Sequence, residues 1–192
     1  MVNNEARTNE WDEKACIAAA QEDPSAFAAL YECYVDRIYN YVYHRVGNVH
    51  AAEDLTSRTF YRALANISRY EDKGVPFSAW LYRIAHNLMA NWHRDRHRKP
   101  VVSLDEIVVK SVSRDYPEAL AVSEDNARFL RQVLKEIDPL RQELLVLKFS
   151  EGLSNIEIGR ILGRSEGAIK SLYHRTLLSI RKEMAKKGMD VP

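Results

Sequence analysis

The stretch 138-DPLRQELLVLKFSEGLSNIEIGRILGRSEGAIKSLYHRTLLSIRK-182 contains three helical patterns separated by tight turns. Asp138-Pro139 opens the first, with Asp as N-cap and Pro at the first helical position, where its missing N–H costs nothing. Leu140, Leu144 and Leu147 recur on one face, and Gly152 ends the run. Ser154-Asn155-Ile156-Glu157 reads as a capping box opening a second helix over 156–162. Gly163-Arg164 turns the chain, and Ser165 caps a third helix that runs toward Lys187. Two short helices joined by a glycine-containing turn, the second long and basic, form the pattern of a helix-turn-helix DNA reader.

Projection of the third helix at about 100° per residue tests that reading. Ile169, Leu172, Tyr173, Thr176, Leu177 and Ile180 fall on one arc. Lys170, Ser171, His174 and Arg175 fall on the other, with Gly167 and the cap Ser165 at the N-terminal end. Small residues let the backbone approach a groove, and basic ones meet phosphates and guanine edges. A solvated basic face is the plainer alternative, but the caps, the preceding helices and the charge all agree on DNA.

Composition bounds the rest. The 192 residues make one large domain or two small ones, and the net charge of +1 conceals an asymmetry. Residues 1–60 carry ten acids against five Lys/Arg, whereas 160–187 carry eight Lys/Arg against two Glu. An acidic front and a basic back predict a protein partner for the first and nucleic acid for the second. Cys16 and Cys33 are too few and too widely spaced for a disulfide scaffold or a zinc knuckle, which fits a reducing cytoplasm. No signal peptide and no membrane-length apolar run is found. A soluble cytoplasmic protein is expected.

Residues 1–10 are polar, and 11–21 form a short Ala-rich helical candidate. Asp23-Pro24-Ser25 starts a long helix in which Phe27, Leu30, Tyr31, Tyr34, Ile38, Tyr39, Val42 and Val46 keep helical spacing. Those aromatics are read as core rather than as a ligand box. Gly47 stops the helix, and Asn48 caps the next, over 49–67. There Leu55, Thr59/Phe60 and Ala63/Leu64 make the buried face and leave Glu53, Asp54, Ser57, Arg58 and Arg62 outside. A turn at Lys73-Gly74-Val75-Pro76 precedes a helix over 77–98. Phe77, Trp80, Leu81, Ile84, Leu88 and Trp92 are assigned inward. Tyr82, Arg83, His86, Ala90, His93, Arg94 and His97 are assigned outward. Aromatics interleaved with Arg and His suit single-stranded nucleic acid. His93 and His97 have a metal-compatible spacing, but no carboxylate or Cys accompanies them and their surroundings are cationic. No metal and no cofactor is expected. Residues 99–122 read as a flexible linker, and a modest helix over 123–137 leads back to the helix-turn-helix. The fold expected is therefore all-α: an N-terminal segment 1–22, a helical domain 23–98, the linker, and a second domain 123–187.

Taken together, the two halves resemble a bacterial RNA polymerase sigma factor of the sigma-70 family, extracytoplasmic function (ECF) group. The resemblance covers roughly 24–182. It is carried by Ala52-Glu53-Asp54-Leu55 with Thr59-Phe60, by 77-FSAWLYRIAHN-87, by 153-LSNIEIG-159 and by 167-GAIKS-171, in that order. It implies that Glu53, Asp54, Leu55, Ser57 and Arg58 bind core polymerase at its clamp (region 2.2). It implies that the loop 71–76, with Lys73, Gly74 and Val75, and Trp80, Arg83, Asn87 and Arg94 open and hold the −10 element (regions 2.3 and 2.4). Ser165, Gly167, Lys170, Ser171, His174 and Arg175 would read the −35 element, with region 4 also touching the polymerase flap. The group lacks the extra N-terminal region and third domain of housekeeping sigmas, and an anti-sigma factor is an expected partner.

Two departures bear on this. Arg58 stands where such proteins usually carry Glu, which alters the expected polymerase contact. Leu172 and Leu177 replace Arg residues common in the recognition helix, so base preference does not transfer from a relative. A conventional helix-turn-helix regulator with an N-terminal sensing domain is the second reading, but it leaves Trp80–Asn87 and its basic surroundings unused. An enzyme is third, because no paired carboxylate, nucleophile–base set or metal cluster stands out.

Overall fold

The computed structural model describes residues 12–95 and 124–186, and all regular elements among them are helical. The expected linker 99–122, the stretch 1–11 and His97 lie outside the described residues.

Helix α1 (Glu13–Glu22) begins at Asp12, whose carboxylate accepts the N–H groups of Lys14 and Ala15. Asp23 then caps a single 3₁₀ turn, Pro24–Ala26, which the sequence reading had merged with the following helix. Helix α2 (Phe27–Val46) stops at Gly47, whose φ of 63° is a left-handed cap that glycine adopts without Cβ strain. Asn48 accepts the Ala51 N–H and starts α3 (Val49–Asn66). In the loop before α4 (Phe77–Asp95), Asp72 accepts the N–H of Gly74 at 2.9 Å. Helix α2 packs against α3 and α4, α3 against α4, and α1 across α2. Leu30, Ile38, Val42, Leu55, Phe77, Leu81 and Leu88 are buried between them. Each such side chain contributes about 1.5–3 kcal/mol of transfer free energy.

The second bundle holds α5 (Glu124–Glu136), α6 (Pro139–Leu145), α7 (Asn155–Leu162) and α8 (Glu166–Ala185). Both halves of the capping box at Ser154 and Glu157 are formed, and Ser165 accepts the Ala168 N–H. Helix α6 is shorter than its pattern suggested. Its end widens into a π turn over Val146–Ser150, where the Glu151 N–H donates to the Val146 carbonyl at 3.2 Å. Leu144, Leu147, Ile158, Ile161, Ile169 and Ile180 form the core. The two bundles are packed together, α7 lying against α4.

Several sequence assignments are corrected. Leu55 is fully buried and supports α3 from inside, so it makes no surface for a partner. Leu64 and Tyr31, assigned inward, are 38% and 44% exposed; Tyr31 lays its ring edge-on to Phe60 at 4.9 Å from the rim. On α4 the inward and outward sets are partly exchanged. Tyr82 and His93 are buried and His86 is half-buried, whereas Trp80 and Ile84 are only half-buried. The cause is the second bundle, which covers one flank of α4 that a single domain would leave in water.

The turn of the helix-turn-helix depends on Gly159. It is buried, and a Cβ there would stand 2.6 Å from the Arg164 carbonyl oxygen, a backbone atom unable to swing away alone. The same turn is closed by the Arg164 N–H donating to the Gly159 carbonyl at 2.8 Å. Gly159→Ala should therefore destabilise the chain by about 1–3 kcal/mol. A urea melt checks this, and an unchanged midpoint would show that the turn relaxes freely.

Candidate nucleic-acid interface

A cleft of about 440 Å³ opens where the end of α3, the loop 71–76 and the outer flank of α4 meet. Its lining carries Arg62, Arg69, Lys73, Arg83 and Arg160 against one acid, Glu71. Glu71 pairs with Lys73 at 3.5 Å, which leaves the cleft cationic. The aromatic part of the wall is a cluster. The Trp80 ring tilts against Tyr70 at 4.9 Å and against Phe77 at 5.3 Å, and Phe77 anchors it in the core. Burial pushes the Tyr70 phenol above its ordinary value, with nearby Asp72 and Glu13 adding to the shift, so it remains a neutral donor. A half-exposed indole held by buried rings, surrounded by guanidinium groups, can stack an unpaired base and track a phosphate backbone.

Of the residues expected to handle the −10 strand, Lys73, Val75, Trp80, Arg83 and Asn87 line this cleft. Gly74 sits at the loop tip with φ 73°. Arg94 lies farther along the exposed face of α4, hydrogen-bonded to Asn91 at 3.0 Å and outside the cleft. Arg62, Asn66, Arg69, Tyr70 and Arg160 also line it and are not singled out as DNA contacts by the sequence. Tyr70 carried a usable signal, an aromatic one turn before a polar loop. Arg160 carried none, because it belongs to the other bundle.

On α3, Glu53, Asp54, Ser57 and Arg58 are exposed on one face while Leu55, Thr56 and Thr59 turn inward. Asp54 accepts from Arg58 at 3.4 Å, so the unexpected Arg partly neutralises the acidic face one turn away. A shallow groove beside it is bordered by Tyr31, Tyr39, Glu53, Ser57 and Phe60.

On α8 the projected arcs are reproduced. Ile169, Thr176 and Ile180 are buried, with Leu172, Tyr173 and Leu177 half-buried. Ser165, Gly167, Lys170, Ser171, His174 and Arg175 are exposed together on the opposite side. Lys170 is paired with Glu166 at 2.6 Å, and Arg175 donates from Nε to the Ser171 carbonyl at 3.2 Å. The Lys148 ammonium stands 4.9 Å over the Tyr173 ring and holds its inner side.

The two bundles meet around Glu143. Its Oε1 accepts the Tyr41 hydroxyl at 2.7 Å and stands 2.8 Å from His86 Nδ1, and its Oε2 accepts from Arg45 Nη2 at 3.2 Å. Nearby, Glu151 accepts the Tyr82 hydroxyl and pairs with Arg37 at 3.9 Å. The Tyr41 and Tyr82 rings are edge-on at 5.1 Å, and both are fully buried.

Comparison with known proteins agrees with this layout. Residues 30–99 match the family model described as Sigma-70 region 2, and 130–180 match that of Sigma-70, region 4. The chain is similar to the ECF RNA polymerase sigma factor BldN of Streptomyces coelicolor, 38% identical over 179 residues, covering 93% of this chain but only 66% of that protein. It is also similar to the ECF RNA polymerase sigma factor SigW of Bacillus subtilis, 36% identical, covering 84% of this chain and 90% of that protein. Among solved structures, CnrH in complex with the cytosolic domain of CnrY has the same fold, with a TM-score of 0.60 at 20% identity over 91% of this chain and 97% of that one.

The junction between the bundles ties stability to pH. Burial, then the Arg45 cation, holds His93 below its ordinary value of 6.5. The unfolded chain therefore takes up that proton first, and stability falls as the pH drops below 6.5. Burial pushes Glu143 up, but the hydrogen bond and charge of His86, the Arg45 cation and the Tyr41 hydroxyl together hold it below its ordinary 4.5. Its contribution is complete above 4.5 and is lost as the pH falls further. The melting midpoint should decline in two stages, and His93→Gln should remove the first. A midpoint that stays flat from neutral pH down to about 5 in the unmodified chain would contradict the assignment.

Proposed function

The chain belongs to the ECF group of the sigma-70 family of RNA polymerase sigma factors, and on that premise we propose how its surfaces divide promoter recognition. The exposed acids of α3, Glu53 and Asp54, with Ser57 and Arg58, meet the clamp of core polymerase. The cleft bounded by the loop 71–76, Tyr70, Trp80, Arg83 and Asn87 takes the opened strand of the −10 element, with Arg94 gripping phosphate beyond it. The exposed arc of α8 enters the major groove at −35, and the second bundle also touches the polymerase flap. An anti-sigma factor is a further partner, as NepR is for the RpoE of Bartonella quintana, a structural neighbour at 18% identity and a TM-score of 0.56. The protein is a binding subunit with no reaction of its own, working in the cytoplasm beside polymerase.

One observation carries the reading. The same chain holds a cationic cleft backed by aromatic rings and a helix-turn-helix whose basic arc faces water. A conventional helix-turn-helix regulator would need only the second. Adding the chain to bare core polymerase and a promoter template decides between them, because only a sigma factor starts transcripts there. Asp54→Lys should weaken assembly with core polymerase, the more so at low salt, since it reverses one exposed charge and leaves the buried face untouched. Unaltered pull-down of core polymerase would remove Asp54 from the contact.

Arg175 and Lys170 should fail in different ways. The planar fork of Arg175 suits guanine O6 and N7, whereas the Lys170 ammonium is a point charge suited to phosphate. Arg175→Ala should cost roughly 1–3 kcal/mol and relax preference at one base pair. Lys170→Ala should weaken all sequences alike and flatten the salt dependence by about one unit, less whatever Glu166 already neutralises. Binding isotherms on −35 variants across several salt concentrations show both effects. Should both variants bind as before, α8 does not enter the groove by this face.

A further inference from the structure

We propose that α1 is a positioning element for the cleft beside Trp80. Glu13, Lys14 and Gln21 fix the segment 67–77 from behind, and with it the aromatic wall on which an unpaired base would stack. The inference rests on the promoter-reading role above. Helix α1 lies ahead of the residues that match Sigma-70 region 2, and none of its residues lines the cleft. Its contribution is indirect.

The chain between α3 and α4 has little regular structure of its own. It leaves α3 through a 3₁₀ turn, Ile67–Arg69, closed by the Tyr70 N–H donating to the Ile67 carbonyl at 3.0 Å. Beyond that turn no helix resumes until Phe77. A loop left free here would have to be ordered when a strand arrives, and that entropy would weaken its grip. Helix α1 orders it beforehand. The Gln21 amide donates from Nε2 to the Ile67 carbonyl at 3.2 Å and to the Tyr70 carbonyl at 2.8 Å. Two turns earlier, Glu13 accepts the Phe77 N–H at 3.4 Å with one oxygen and the Tyr34 hydroxyl with the other. Phe77 opens α4, so its N–H has no partner inside that helix, and the helix dipole favours a carboxylate there. Between these ties, the Lys14 ammonium stands 3.5 Å from Asp72, whose other oxygen accepts the Gly74 N–H.

Glu13 and Gln21 flank the buried Ile17 and stand about 12 Å apart along the axis, so one helix reaches both the exit of α3 and the entry of α4. The atoms it holds belong to the wall. The Tyr70 ring meets Phe77 edge-on at 5.2 Å and tilts against Trp80 at 4.9 Å. Gln21 binds the carbonyl of that same Tyr70, and Glu13 the N–H of that same Phe77. Two of the three rings are thus fixed through their backbones before any base enters.

Gln21 is exposed, and Gln, Met and Lys have similar helix propensities, so its side chain can be exchanged with little effect on α1 itself. Gln21→Met removes both donors without adding charge. Gln21→Lys supplies an ammonium able to donate to the same two carbonyls. Each full chain is assembled with core polymerase on promoter duplex carrying 2-aminopurine in the −10 non-template strand, at a salt concentration that screens the added charge. Gln21→Met should lower strand opening about tenfold, the effect of two lost hydrogen bonds, and Gln21→Lys should restore most of it. Pull-down of core polymerase and binding to −35 duplex should match the unmodified chain. In the free Gln21→Met chain, hydrogen exchange at the Tyr70 and Gly74 amides should quicken while the amides of α2 keep their rates. Quickening in α2 as well would make Gln21 a support of the whole bundle and overturn the positioning role. Equal opening by all three chains, or a loss that Gln21→Lys leaves unrepaired, overturns it too. An unmodified chain that opens no promoter with core polymerase would instead overturn the promoter-reading role, so the two failures are separate.

Discussion

A carboxylate buried beneath another domain is tolerable only where opposite charge and hydrogen-bond donors already wait for it. Glu143 meets Arg45, His86 and Tyr41, and the rest of the arrangement follows from that meeting. Burial opposes the ionised form, while the two basic side chains and the phenol favour it by more, so the carboxylate stays charged inside the protein. The partners are bound by the same condition. Arg45 and Tyr41 sit on α2 and His86 on α4, so one side chain of the second bundle fixes the relative placement of two helices of the first.

Helix α4 consequently has three flanks with three environments. One carries Phe77, Leu81 and Leu88 into the first core. One lies under the second bundle and carries Tyr82 and His86. The third stays open and carries Trp80, Arg83 and Asn87 to the cleft. Helix α3 carries Glu53 and Asp54 toward its start and Arg62 at the rim of the cleft toward its end, so an acidic and a cationic surface lie at different ends of one helix.

How far the sequence could be read depends on the range of the forces involved. The cap at Ser154 with Glu157, the stop at Gly47 and the two arcs of α8 are set by neighbours within one helical turn, and all were legible. The exchange of faces on α4 was not. Tyr82 contacts a carboxylate 69 residues away and His86 one 57 away, and periodicity within a helix carries no information at that distance. Arg160 joins a cleft built by the other bundle for the same reason. For Leu55 two readings disagreed: its helical spacing placed it in the buried face, where it lies, and only the short motif read as a block placed it among the polymerase contacts. Glu143 did leave a trace, a lone acid beside a Leu-Leu-Val-Leu run. Its partners, however, could not be named without the fold.

The two basic surfaces differ in how open they are. Lys170, Ser171, His174 and Arg175 are exposed along one side of α8, while the cleft beside Trp80 has Arg160 at its rim and α7 along the adjoining flank. A free chain of this shape can meet duplex DNA through phosphates, an attraction that needs no sequence and falls steeply with salt.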